Sequence, residues 1–185
     1  MRQDKPNPAV SGQKAKSCQK GMKPCPCGHL TDPSRTCVCA PPQVQRYLSK
    51  ISGPLLDRID LHIEVTPVSF DELDRRADGE SSAKVRKRVV AARAIQAKRL
   101  VDAPGVHCNA QMGTRLVRKY CALDNAGRQL MKLAIHRLGL SARAYDRILK
   151  VARTIADLGG ADSIHPAHLS EAIQYRSLDR DWWHG

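Results

Sequence analysis

From Ser81 onward the apolar residues recur at helical spacing with little interruption, whereas ahead of it a single short stretch alternates as a strand does. Ile59, Leu61, Ile63 and Val65 alternate with Asp60, His62 and Glu64, which predicts a half-buried strand ended by Pro67. One strand without a sheet to join has no independent stability, so the weight of the fold must lie in the helices. A helix capped by Ser81 or Ser82 is expected to run to about Leu100 and to stop before Pro104-Gly105. Shorter helices are expected over 111–121, 124–138, 141–158 and 166–177, with Leu140-Ser141 as an N-cap junction and Gly159-Gly160 as a stop. Upstream, Val44, Tyr47, Leu48 and Ile51 predict a helix from Gln43, with Pro41 and Pro42 suited to its first turn. Ser52-Gly53-Pro54 breaks it, and a short turn from Leu55 to Arg58 follows. The fold class is therefore mainly α: a cysteine loop, one helix, one strand and an acidic hinge, followed by a bundle of about five helices. Aromatics make up only 4% of the chain, so that bundle must fill its core with Leu, Ile, Val and Ala.

Charge is distributed unevenly. Residues 84–153 hold 17 Lys/Arg against 3 Asp/Glu, a local balance of +14 in a chain of net charge +13, while 51–83 hold 3 against 8. Clustered positive charge with so few acids to form i,i+4 pairs points to a polyanion such as nucleic acid or nucleotide phosphate, the competing reading being a solvated helix face. Residues 1–20 are polar and without period, and are expected to be disordered or foreign to the domain. They contain no apolar core of a secretory signal, and no apolar run approaches the roughly 18 residues of a membrane span. The expectation is a cytoplasmic protein without a membrane partner.

Cys25-Pro-Cys27 and Cys37-Val-Cys39 form two C-x-C pairs set among Pro24, Pro26, Gly28 and Pro33. Four thiolates on two tight turns close a tetrahedron around Zn²⁺, and a loop without an apolar core needs such a source of order. His29 is a possible substitute ligand. Unliganded reduced thiols are the alternative. Cys18 is isolated, and Cys108 and Cys121 are expected to be core thiols.

Two arginines stand in unusual settings. Arg58 ends the rigid apolar turn Ser52-Gly53-Pro54-Leu55-Leu56-Asp57, a position from which a guanidinium reaches an anion on a neighbouring subunit; a surface pair with Asp57 or Asp60 is the competing reading. Arg143 lies in the first turn of the helix opened by Ser141, where the dipole disfavours a cation but exposed N–H groups favour an anion.

PCPCG, the following C-x-C, RYLSKISGPLLDRIDLHIEV, LSARAYDRILKVARTIADL and EAIQYR occur in this order. From about Gly21 to Arg176 the chain resembles the C-terminal part of the magnesium-chelatase-like AAA+ ATPases of the competence (ComM/YifB) type. The resemblance implies a helical lid over 83–178, preceded over 21–68 by the end of an αβα core. That end would hold the cysteine loop, the arginine-finger turn and the last strand. An acidic linker (69–82) and a tail (179–185) complete the division. It further implies hexameric rings that drive branch migration on DNA during natural transformation, with ATP and Mg²⁺ as cofactors. Arg58 then matches the finger acting in trans, and Arg143 the sensor-2 arginine. Lys23 stands at the sensor-1 position, where the family usually has Asn; an ammonium cannot accept a hydrogen bond and so cannot orient a water as an amide does. No G-x-x-x-x-G-K-[ST] occurs in the 185 residues, and no apolar strand ends in paired acids. The chain thus reads as a truncated or frame-disrupted product, or as a piece cut from a longer one, unable to hydrolyse ATP alone. Weak, sequence-independent DNA binding is expected, through residues the sequence does not single out. A free-standing zinc-containing DNA-binding module and a magnesium-chelatase subunit are the alternative functions.

Overall fold

A computed structural model describes residues 23–32, 34–63, 65, 68, 70, 74 and 79–176. The expectations for 1–22, Cys18 among them, for 177–185 and for most of the acidic linker fall outside the described residues. Among the described residues the helices are α1 (Pro41–Leu48), α2 (Gly53–Leu56), α3 (Ser82–Arg99), α4 (Thr114–Tyr120), α5 (Asn125–Leu138), α6 (Ala142–Leu158) and α7 (Pro166–Gln174), with a 3₁₀ turn at Asn109–Gln111.

The helix ends follow from local chemistry. Ser81 caps α3 by accepting from the Lys84 N–H, Asp124 caps α5 by accepting from the Gly127 N–H at 2.7 Å, and Ser141 caps α6 through the Ala144 N–H at 3.2 Å. Gly139 ends α5 in the left-handed region at φ 59°, which lets the Leu140 N–H return to the Ile135 carbonyl. Gly160 does the same after α6, at φ 69°.

Helix α6 is the axis of the bundle. It packs against α3, α4, α7 and the 3₁₀ turn, and α5 closes over α7. Its inward stripe of Ala144, Ile148, Leu149, Ala152 and Ala156 is buried. Met112, Val117, Met131 and Leu169 fill the remaining space, so the core is aliphatic and sulfur-containing, and Tyr120 and Tyr145 only border it. Cys121 belongs to this core, with its thiol pushed up to about 11 by burial, whereas Cys108 is only half-buried.

The strand expected over Ile59–Val65 does not form; the described residues contain no strand. Its alternation is inverted as well. His62 is buried, while Leu61, Ile63 and Val65 are exposed (45, 69 and 84% of their surface). A strand is held by a ladder, and no described segment runs alongside to supply one. The segment instead docks on the end of α7: the His62 N–H donates to the Tyr175 carbonyl at 2.7 Å, and the fully buried Arg176 guanidinium donates to the Ile59 carbonyl.

Candidate functional site

The cysteine loop is built around one glycine. Gly28, at φ 86°, turns the chain so that its N–H lies 3.2 Å from the Cys25 Sγ and 3.0 Å from the Cys25 carbonyl. Cys37 and Cys39 come up on the returning limb of the loop, and the four Sγ atoms all lie within 4.8 Å of one another. A tetrahedral ion with metal–sulfur bonds of about 2.3 Å requires sulfur–sulfur edges of about 3.8 Å. The separations are 3.7 Å for Cys25–Cys37, 3.6 Å for Cys27–Cys37 and 3.3 Å for Cys25–Cys27. Cys25, Cys27, Cys37 and Cys39 are therefore the donor set of a candidate metal site, with all four unbridged by disulfides.

The surroundings favour the thiolate, the form that a metal binds, at Cys27. Backbone N–H groups of His29 and Val38 pull Cys27 down to about 6, against the opposing effect of burial. Cys37 moves the other way, to about 12: the Cys39 backbone lowers it, but burial and the adjoining thiols outweigh that. Four thiols this close cannot all ionise without a cation between them. His29 is not part of the set. Its Nδ1 lies 3.0 Å from the Asp32 carboxylate, and Asp32 is held down to about 2 by hydrogen bonds from the Ser34 hydroxyl and N–H and from His29. This triad ties down the loop between the two C-x-C pairs. Lys23 is exposed, and its side chain lies over Gly28, 3.0 Å from where a Cβ would stand.

Arg58 and Arg143 are both exposed. Arg58 pairs with neither Asp57 nor Asp60; its Nη1 donates to the Pro54 carbonyl of its own turn at 2.9 Å. The two acids are engaged elsewhere. Asp60 forms an ion pair with Arg147, one turn along α6 from Arg143, and Asp57 lies 4.0 Å from Arg176. The turn bearing Arg58 is thus fastened on one side to the helix bearing Arg143, through Asp60, and on the other to the end of α7, through Asp57.

A third arrangement carries no signal that periodicity detects. The Asp157 carboxylate, with none of its side chain exposed, accepts from Arg99 and Asn109 at 2.8 Å each and from Arg153 at 3.1 Å. Arg153 also donates to the Ala161 and Asp162 carbonyls, which closes the loop after α6. In sequence Arg153 and Asp157 look like an ordinary i,i+4 surface pair; only their place on the apolar stripe of α6 betrays them.

Two family models match the chain. The model described as magnesium chelatase, subunit ChlI C-terminal, covers residues 79–176, and the one described as magnesium chelatase, subunit ChlI, covers 16–73. This chain belongs to the magnesium-chelatase ChlI-type family. It is 43% identical over 161 residues to the competence protein ComM of Haemophilus influenzae, which is 86% of this chain and 30% of that protein. The protein YifB of Salmonella typhimurium is similar at 43% over 160 residues, with the same coverage. An uncharacterized protein of Mycobacterium tuberculosis is 38% identical over 153 residues, 83% of this chain and 30% of its own. The chain thus spans about 30% of the length of the curated relatives it matches. No described helix is long and apolar enough to cross a membrane.

Proposed function

We propose that this chain is the lid-and-finger portion of a ring-forming AAA+ ATPase that acts on DNA, of the kind that moves branches during natural transformation. Arg58 acts on nucleotide held by a neighbouring subunit, and Arg143 acts as the sensor-2 arginine over its own. Zinc is the metal of the four-cysteine loop, because a set of four thiolates at tetrahedral spacing suits it and the loop has no apolar core of its own. There it orders the loop and takes no part in turnover.

The observation that carries the reading is the fastening of the Arg58 turn to α6 through Asp60–Arg147 and to the end of α7 through Arg176, with the guanidinium groups of Arg58 and Arg143 left exposed. A finger must be held rigidly and still be unspent, and among the described residues Arg58 donates to a carbonyl of its own turn and to no acid. With no phosphate loop in its 185 residues, the chain alone hydrolyses no ATP on this reading. The test mixes it with a full-length relative whose finger has been removed. Partial recovery of hydrolysis that is lost with Arg58→Ala supports the assignment; equal behaviour of wild type and Arg58→Ala removes it. Fingers supplied in trans are worth about 10³–10⁵ in rate where they have been measured, so even inefficient docking gives a readable signal.

A further inference from the structure

Helix α3 is set apart from the rest of the bundle. Its 18 residues include seven cations (Lys84, Arg86, Lys87, Arg88, Arg93, Lys98 and Arg99) and no acid. Only Ala92 and Gln96 are buried, and residues 82–91 are exposed on every side. At 1.5 Å per residue that is about 15 Å of helix standing clear of the core. Among the described residues two of the seven cations have an acidic partner, Arg88 in Glu80 and Arg99 in Asp157. The others form two rows by helical period. Lys84, Lys87 and Lys98 lie along one flank, and Arg86 and Arg93, seven apart, along the opposite one. Lys84 sits in the first turn, where the dipole makes a cation unfavourable, so the arrangement is not the one that helix stability selects.

Exposed Val90 lies between the rows on the outward side, and Val85 and Val89 on the side that continues to Ala92 and Gln96. A helix that lies on a lipid surface carries Trp, Phe or Leu on its apolar side, and α3 has only Val, Ala and Ile95 there. Rows of cations spaced along a rod, with small apolar groups between, match the phosphates and sugars of a nucleic-acid backbone.

We infer that the free half of α3 is the surface through which this chain grips nucleic acid, by its phosphates and without reading sequence. The inference rests on the proposed action on DNA and narrows it to named residues. By contrast, the groove of about 630 Å³ between α4 and α6, lined by Arg118, Arg128 and Tyr145, also carries Asp146.

The experiment follows the anisotropy of labelled single-stranded and duplex oligonucleotides titrated with the chain between about 50 and 200 mM salt. The variant Lys84→Gln/Arg86→Gln/Lys87→Gln, confined to the free half, is compared with Arg118→Gln/Lys132→Gln/Arg137→Gln, which removes the same charge from exposed positions elsewhere. Circular dichroism checks that both remain folded. Wild type is expected to bind with a Kd of about 10⁻⁴–10⁻⁶ M, and the α3 variant to lose at least about tenfold at low salt, with the slope of log K against log salt reduced by up to about 3. The control is expected to stay within about threefold of wild type. Equal loss in both variants would reduce the effect to net charge, and an unchanged α3 variant would assign the contact to another surface; either overturns the inference while leaving the DNA reading in place. No binding by wild type sinks both. Competition by poly-glutamate as effective as by DNA of equal charge would overturn it in favour of an acidic protein partner.

Discussion

Replacing Asp157 by alanine removes a carboxylate that no water reaches and that four donors from Arg99, Asn109 and Arg153 converge on. Arg153 is itself 98% buried, and without Asp157 its Nε has no acceptor, although its Nη atoms keep the Ala161 and Asp162 carbonyls. Arg99 retains some exposure and can turn outward, and Asn109 keeps the Thr154 hydroxyl at 3.1 Å. Breaking a buried pair from one side costs about 3–5 kcal/mol, and these partial compensations place the loss near the lower figure, about 3. At about 4–8 °C per kcal/mol for a domain of this size, the midpoint of a thermal melt followed at 222 nm should fall by roughly 12–24 °C. A fall below about 4 °C would mean that the network is worth less than about 1 kcal/mol and that the cluster merely accompanies the packing of α6. The charge makes a second readout available. Burial, the largest influence, pushes the Asp157 carboxyl up, but hydrogen bonds from Arg99 and Asn109 and the Arg153 charge outweigh it, and the net direction is down. A carboxyl lower in the folded than in the unfolded chain contributes its full stability above the unfolded value of about 3.9 and loses it as pH falls through the folded one. Asp157→Asn should therefore lower stability at neutral pH and flatten the acid limb of the stability curve.

Other consequences are more local. Gly28→Ala should cost about 1–2 kcal/mol from the positive φ alone, since the Lys23 chain can move aside, and should weaken metal binding by roughly tenfold in a competition with a chromophoric chelator. Protein purified without chelator should carry close to one zinc per chain by elemental analysis, and replacing any one of Cys25, Cys27, Cys37 or Cys39 by serine should abolish that stoichiometry. Arg176→Met should raise amide exchange at His62, whose N–H is held by Tyr175, far more than it raises exchange in α6. Arg147→Ala, which breaks a pair whose Asp60 side is half exposed, should change the melting midpoint by less than about 1 kcal/mol's worth, so that any effect in the finger-rescue assay reports positioning rather than stability.

Helix boundaries were legible because they depend on residues within a turn of one another. Ser81, Asp124, Ser141, Gly139 and Gly160 act through their own side chains or their own φ. The cysteine set was legible for the same reason, since two C-x-C pairs on tight turns leave their thiols few places to go. The stretch 59–65 was misread because period two states only that a segment is extended with one apolar side. Whether that side is buried depends on a partner elsewhere, and here Arg176 and Tyr175 take hold of the backbone and bring His62 inward.

The basic segment shows the same limit in its charges. Along the chain its 17 cations are equivalent, and their sum of +14 invites a single explanation. In the fold they separate into classes with different physics. Arg99 and Arg153 are drawn toward the core by one carboxylate, where their guanidinium groups are engaged with it. Arg147 is committed to Asp60 at the junction with the Arg58 turn. Among the described residues, those on the free half of α3 have no such counterion apart from Arg88, whose partner is Glu80. A polyanion that meets this last class does not have to strip a cation from its carboxylate, as it would at Arg99, Arg153 or Arg147. Salt should accordingly weaken nucleic-acid binding long before it weakens the fold, the first depending on exposed charge and the second on a pair that bulk ions do not reach.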